Sequence, residues 1–90
     1  MWAIISMTNK LKFYNFDKKE FCQFDELQYK ESSHGYRTEI IEIDDNGIAS
    51  ILLANGISIF QTKKDVQARA ISAGLTGYKY FKLNPTVLKI

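Results

Sequence analysis

The chain has 90 residues, a net charge of +2, 46% hydrophobic and 24% charged residues, and one cysteine. That length predicts a single domain, 1–90, burying about 60–65% of the surface its unfolded form exposes, with no room for separate catalytic and regulatory units. The composition excludes the disordered class, and a lone thiol excludes both an intramolecular disulfide and a cysteine-built metal cage.

A cytoplasmic location is expected. The opening "MWAIISM" has no basic residue ahead of it and is far shorter than a secretory apolar region or the roughly 20 residues of a membrane span. Met7 followed by Thr8 is a second candidate translation start. The charge is unevenly spread: residues 17–45 hold nine acids and four bases, whereas 46–90 hold six bases and Asp65 alone. Such asymmetry points to surfaces of opposite sign, available to different partners.

In chain order, residues 2–6 and 10–16 are rich in aromatic and β-branched types and predict a hairpin, with Leu11 and Phe13 on one face and Tyr14 and Phe16 on the other. Asp17 with Glu20 three residues on has the form of a helix start, and Phe21, Phe24 and Leu27 or Gln28 recur at helical spacing. A helix over about 18–29 is therefore predicted, against an extended alternative. "SSHG" breaks the pattern. Asn-Gly at 46–47 and again at 55–56 is the preferred pair for two-residue hairpin loops, so 36–44, 48–54 and 57–61 read as a three-stranded antiparallel meander. Its middle strand, "IASILLA", is apolar on both faces, which predicts a sheet covered on both sides. Thr62 caps a helix over about 63–75, with Val66, Ala70, Ile71 and Leu75 inward and Gly77 as terminator. "YKYFKL" reads as a last strand ended by Asn84-Pro85. The expected fold is thus α+β: a small two-layer domain with a meander, two flanking helices, an N-terminal hairpin and a C-terminal strand.

The sequence has no phosphate loop, no dinucleotide fingerprint and no H-E-x-x-H, and its single His and single Cys are too few for zinc, so no cofactor is expected. Cys22 and His34 sit on different predicted elements with nothing converging on them; an enzyme is the least favoured class. Asp44 and Asp45, beside Asn-Gly, read first as turn formers.

Lys63 and Lys64 stand out. A helix start carries partial positive charge, so lysines there are locally unfavourable by a few tenths of a kcal/mol each, and they would suit an anion held by the free N–H groups. In "GYKYFK", Tyr78, Tyr80 and Phe81 interleave with Lys79 and Lys82 as on a stacking platform for single strands. The order helix, three strands, helix, with "TKKDVQARA" opening the last helix, resembles a double-stranded-RNA-binding domain over 17–75 at most, and its three strands followed by a helix are similar to the small arm-type DNA-binding domains of phage integrases. The resemblance implies that Lys63 and Lys64 grip phosphates; "SIFQ" stands in place of a glycine-rich lead-in, and Gln67 in place of a third base.

The first reading is a small non-enzymatic interaction protein that binds and modulates a macromolecular partner, inhibition being the favoured form, the partner a protein or nucleoprotein complex, of the type phages and mobile elements direct against host machinery. Twelve aromatics exceed the needs of so small a core, and exposed Tyr or Trp are typical interface anchors. Its partner-binding residues would be Tyr29, Tyr36, Glu39, Glu42, Asp44 and Asp45, the acids imitating nucleic-acid phosphates. The alternative is a nucleic-acid-binding domain using Lys63, Lys64, Arg69, Lys79 and Lys82. No membrane partner is expected, and the chain would act as a monomer or a homodimer.

Overall fold

A computed structural model describes residues 1–6, 11–27, 31–32, 35–36 and 43–85. Its centre is a four-stranded antiparallel sheet of β1 (Trp2–Ser6), β2 (Lys12–Asn15), β3 (Glu20–Gln23) and a last strand, β6 (Tyr78–Lys82), in the order β3-β2-β1-β6. Two short strands, β4 (Glu31–Ser32) and β5 (Gly35–Tyr36), pair with each other. The helices are α1 (Asp45–Ala54) and α2 (Lys63–Ser72).

The N-terminal hairpin and the last strand form as the alternation of their side chains dictates. Ile5 lies opposite Phe13, and all five residues of β1 pair with β6, from Trp2↔Lys82 to Ser6↔Tyr78. Because β1 joins β2 to β6, translation from Met7 would remove the strand at the middle of the sheet. Period-two alternation then sorts the side chains. Ala3, Ile5, Leu11, Phe13, Phe81 and Leu83 pack on one face with Ile48, Ala49 and Leu52 of α1. Ile4, Tyr14 and Phe16 pack on the other with Val66 and Ala70 of α2, flanked by Trp2, Phe21, Phe60, Tyr78 and Tyr80. The sheet is covered by one helix on each face, three layers rather than the expected two; the two-sided cover expected from "IASILLA" was of a sheet whose middle strand, 48–54, is instead part of α1.

Three expectations are corrected. The predicted helix over 18–29 is instead a turn at 16–19, strand β3 and a short 3-10 turn at Asp25–Leu27, with residues 28–30 outside the described set. Asn15, not Asp17, organises this start: its side-chain oxygen accepts the N–H of Asp17 and of Lys18, both at 2.9 Å, and closes the β2–β3 hairpin. Pairing with β2 then extends the chain, sending Phe21 to the α2 face and Cys22 to the α1 face. Helical spacing of a few aromatics loses to a ladder of partners.

The second correction concerns the meander. A three-stranded antiparallel meander exists, but it is β1-β2-β3 at residues 2–23 rather than 36–61. Residues 45–54 are helical: Asp44 accepts the Gly47 N–H at 2.8 Å as N-cap, and Ile48, Ala49 and Leu52 line the buried stripe. The first Asn-Gly thus lies in a helix's first turn. The second ends that helix, with Gly56 at φ +76°, the Ile57 N–H on the Leu52 carbonyl at 2.9 Å and that of Gly56 on Leu53 at 3.2 Å. This is a Schellman closure, which favours glycine for its left-handed conformation. Residues 57–61 make no strand beyond a bridge between Phe60 and Trp2; of the expected strand 36–44, residues 37–42 lie outside the described set. With these changes the helix-strand-helix order behind the resemblance to RNA-binding domains does not hold.

The third correction is local. Helix α2 starts where expected, the Thr62 hydroxyl accepting the Asp65 N–H at 3.1 Å. It ends early, at Gly74 (φ +69°) rather than Gly77, with Leu75 N–H on the Ala70 carbonyl and Gly74 N–H on that of Ile71. Ile71, expected inward, is 69% exposed.

Candidate functional site

The two faces of the sheet differ in what their helices leave open. On the α1 face, large apolar residues of helix and sheet close over one another, and Phe13 meets Phe81 edge to face at 5.4 Å. On the α2 face the helix contributes only Val66 and Ala70 as buried residues. Small inward side chains cover the middle of the face and leave a half-buried aromatic margin: Trp2, Phe21, Phe60, Tyr78 and Tyr80.

These rings form a connected series. Phe21 meets Tyr14 at 5.0 Å, Tyr14 meets Phe16 at 4.9 Å and Phe16 meets Phe60 at 5.8 Å, all edge to face. Phe60 exchanges both backbone hydrogen bonds with Trp2, at 2.7 and 2.8 Å, which sets Trp2 beside it. Cations sit over one end of this series, at Trp2, and over its middle, at Phe16. Lys63 Nζ lies 5.6 Å from the Trp2 ring and 5.5 Å from that of Tyr80; Lys82 Nζ lies 5.6 Å from Trp2; the Arg69 guanidinium lies 4.8 Å from Phe16. Lys19, in the turn before β3, and Arg69 line a depression of about 310 Å³ with Tyr14, Phe16, Ser72 and Ala73. The result is a strip of four basic residues, Lys19, Arg69, Lys63 and Lys82, alternating with rings across one end of the sheet. No carboxylate among the described residues pairs with any of the four.

The strip explains part of the unusual start of α2. A cation over a ring gains about 0.5–1 kcal/mol at an exposed site, similar to the penalty of a lysine at a helix start. Lys63 is thereby compensated; Lys64 is exposed and has no such ring among the described residues. Of the five expected basic residues, Lys63, Arg69 and Lys82 meet on the α2 face. Lys79 does not: it alternates with Tyr78 and Tyr80 along β6 and, with Phe81, belongs to the opposite face. Lys19 and Phe16 were missed, because "NFDKKE" reads as a helix start when it is a four-residue hairpin loop.

Tyr78 and Tyr80 share a hydrogen bond between hydroxyls at 3.3 Å. That bond first, and then desolvation and the neighbouring phenol's charge, raise the Tyr80 pKa above its ordinary value.

The acidic set is occupied differently. Asp44 caps α1, and Asp45 Oδ2 accepts the Asn84 N–H at 2.6 Å, fastening the end of β6 to the start of α1. Both acids thus hold the fold together. Tyr29, Glu39 and Glu42 lie outside the described residues, as does His34; of Tyr36 only its place in β5 is described. Cys22 is half-buried, its Sγ 4.0 Å from the Glu20 carbonyl oxygen. Among the described residues no group of His, Cys, Asp and Glu is arranged to hold a metal ion, and no helix is long and apolar enough to cross a membrane. No family model, no curated protein and no solved structure matches the chain.

Proposed function

We propose that the chain is a non-enzymatic binding module whose α2 face takes single-stranded nucleic acid along the strip, phosphates on Lys19, Arg69, Lys63 and Lys82 and bases against Trp2 and Tyr80. The observation that carries this reading is the placement of Lys63 and Lys82 around the half-buried Trp2, with Arg69 repeating the arrangement on Phe16. Aromatic faces accept any base at about 1–3 kcal/mol per stack, and cations beside them track the backbone. Non-planar polyanions would use the charges alone; an acidic protein would leave the rings idle. A partner-inhibiting role through the acidic region is the weaker alternative, since Asp44 and Asp45 already serve α1.

The test is fluorescence anisotropy of a labelled oligothymidylate of about 12 nucleotides. The wild type binds with a Kd on the order of 10⁻⁶ to 10⁻⁴ M at moderate salt. The Lys63→Glu, Arg69→Glu double variant, folded by circular dichroism, loses at least about tenfold. Equal binding by both proteins, or none by either, refutes the reading.

A further inference from the structure

We infer that the depression between the 16–19 turn and the last turn of α2 is a phosphate subsite built by Lys19 and Arg69, taking one backbone phosphate of the strand; this rests on the nucleic-acid reading above. At about 310 Å³ the depression lies at the small end of ligand pockets, roughly 300–1,000 Å³. It offers an ammonium, a guanidinium and the Ser72 hydroxyl, and no carboxylate among the described residues lines it. Its buried lining residues are Tyr14 and Phe16, 7% and 8% exposed. The Phe16 ring at 4.8 Å holds the guanidinium in place.

One local feature opposes an anion here: the carboxyl end of α2 carries about half a negative charge. Two full positive charges outweigh it. The Arg69, Ala70 and Ile71 carbonyls are moreover capped by the N–H groups of Ala73, Leu75 and Gly74.

A second observation concerns the backbone of Lys19. At φ +56° it is the one non-glycine residue with positive φ among the described residues. The hairpin loop requires a left-handed residue there, and glycine or asparagine would meet that need with less strain than lysine. A residue that breaks a local rule marks a site where another demand prevails. Here the demand is a second basic residue lining the depression with Arg69, which neither glycine nor asparagine supplies.

Stability and binding should therefore move in opposite directions in Lys19→Gly. Its Tm is expected to rise by about 4 °C as the strain is relieved. Its affinity for oligothymidylate should fall about three- to tenfold, with a salt slope shallower by roughly 0.7, the share of one phosphate contact. Amide resonances followed by NMR during titration with inorganic pyrophosphate and, separately, oligothymidylate place the contact. Shifts at Lys19, Ser72 and Ala73 with both ligands, lost in Lys19→Gly, are the expected result. Pyrophosphate bound there without oligothymidylate would uphold the subsite and overturn the nucleic-acid reading. Oligothymidylate bound equally by both proteins, or a lower Tm in the variant, would overturn the subsite and leave the strip standing. Silence from both ligands would overturn both.

Discussion

The two helices have equal lengths and lie on opposite faces of the same sheet, yet they begin with opposite charges. Helix α1 opens on Asp44 and Asp45, which suit the positive end of a helix, and both are engaged internally, one as cap and one on Asn84. Helix α2 opens on Lys63 and Lys64, which oppose it, and Lys63 turns onto the aromatic margin of the sheet. Inward residues differ in the same sense: Ile48, Ala49 and Leu52 close the α1 face, whereas Val66 and Ala70 leave rings showing. Where sequence and local physics agree, the residues hold the fold. Where they disagree, charge and aromatic surface are left beyond what the fold itself uses.

If that division is right, the α1 face should carry stability and the α2 face binding. Leu52→Ala, at a fully buried position, should lower unfolding free energy by about 2–5 kcal/mol in urea denaturation. The same substitution should leave the oligothymidylate affinity of the remaining folded protein unchanged. Trp2→Leu reverses the pattern: it keeps an apolar residue next to Phe60 but removes a stacking face, so affinity should fall about tenfold with a smaller loss of stability. Asp44→Ala should cost about 1 kcal/mol, the worth of an N-cap, and leave binding alone; weakened binding would mean that the acidic side also meets the ligand. Lys64→Gln should raise stability by a few tenths of a kcal/mol by relieving the helix start. Its affinity should fall less than that of Lys63→Gln, because Lys64 stands off the strip.

The smallest effect is spectroscopic. Tyr80 has a raised pKa, so the fold favours its protonated form; the stabilisation is complete below the ordinary tyrosine pKa of about 10 and is lost as pH rises through the folded value. Absorbance titration should find one tyrosine ionising late, and Tyr78→Phe should return it towards the ordinary value.

How much of this was legible in the sequence follows from where information is local. The hairpin at 2–16, with Leu11 and Phe13 facing away from Tyr14 and Phe16, and the strand at Tyr78–Lys82 could be read because strand alternation is a local property. So could the start of α2, which Thr62 and Asp65 mark within one turn. The rest depended on distant partners. "IASILLA" is apolar at both strand and helix spacing, and the Asp44 cap together with closure at Gly56 decides for helix. Phe21 and Phe24 imitate a helical stripe until β2 supplies a ladder. The site was legible to the same extent: Lys63, Arg69 and Lys82 could be named from charge, but their convergence on one face needed the β1–β6 register. Lys79 could have been set apart from Lys82 by strand alternation alone, three residues separating them in one strand, and Lys19 was hidden because its turn reads as a helix.

Trp2 is the sole tryptophan and lies between Lys63 and Lys82 in the strip, so its fluorescence reports the proposed site directly. The most direct measurement is its quenching by oligothymidylate across a series of salt concentrations. The account predicts saturable quenching whose log association constant falls with log salt at a slope near −3, roughly four phosphates at about 0.7 each. Absent quenching, or quenching indifferent to salt, would contradict it.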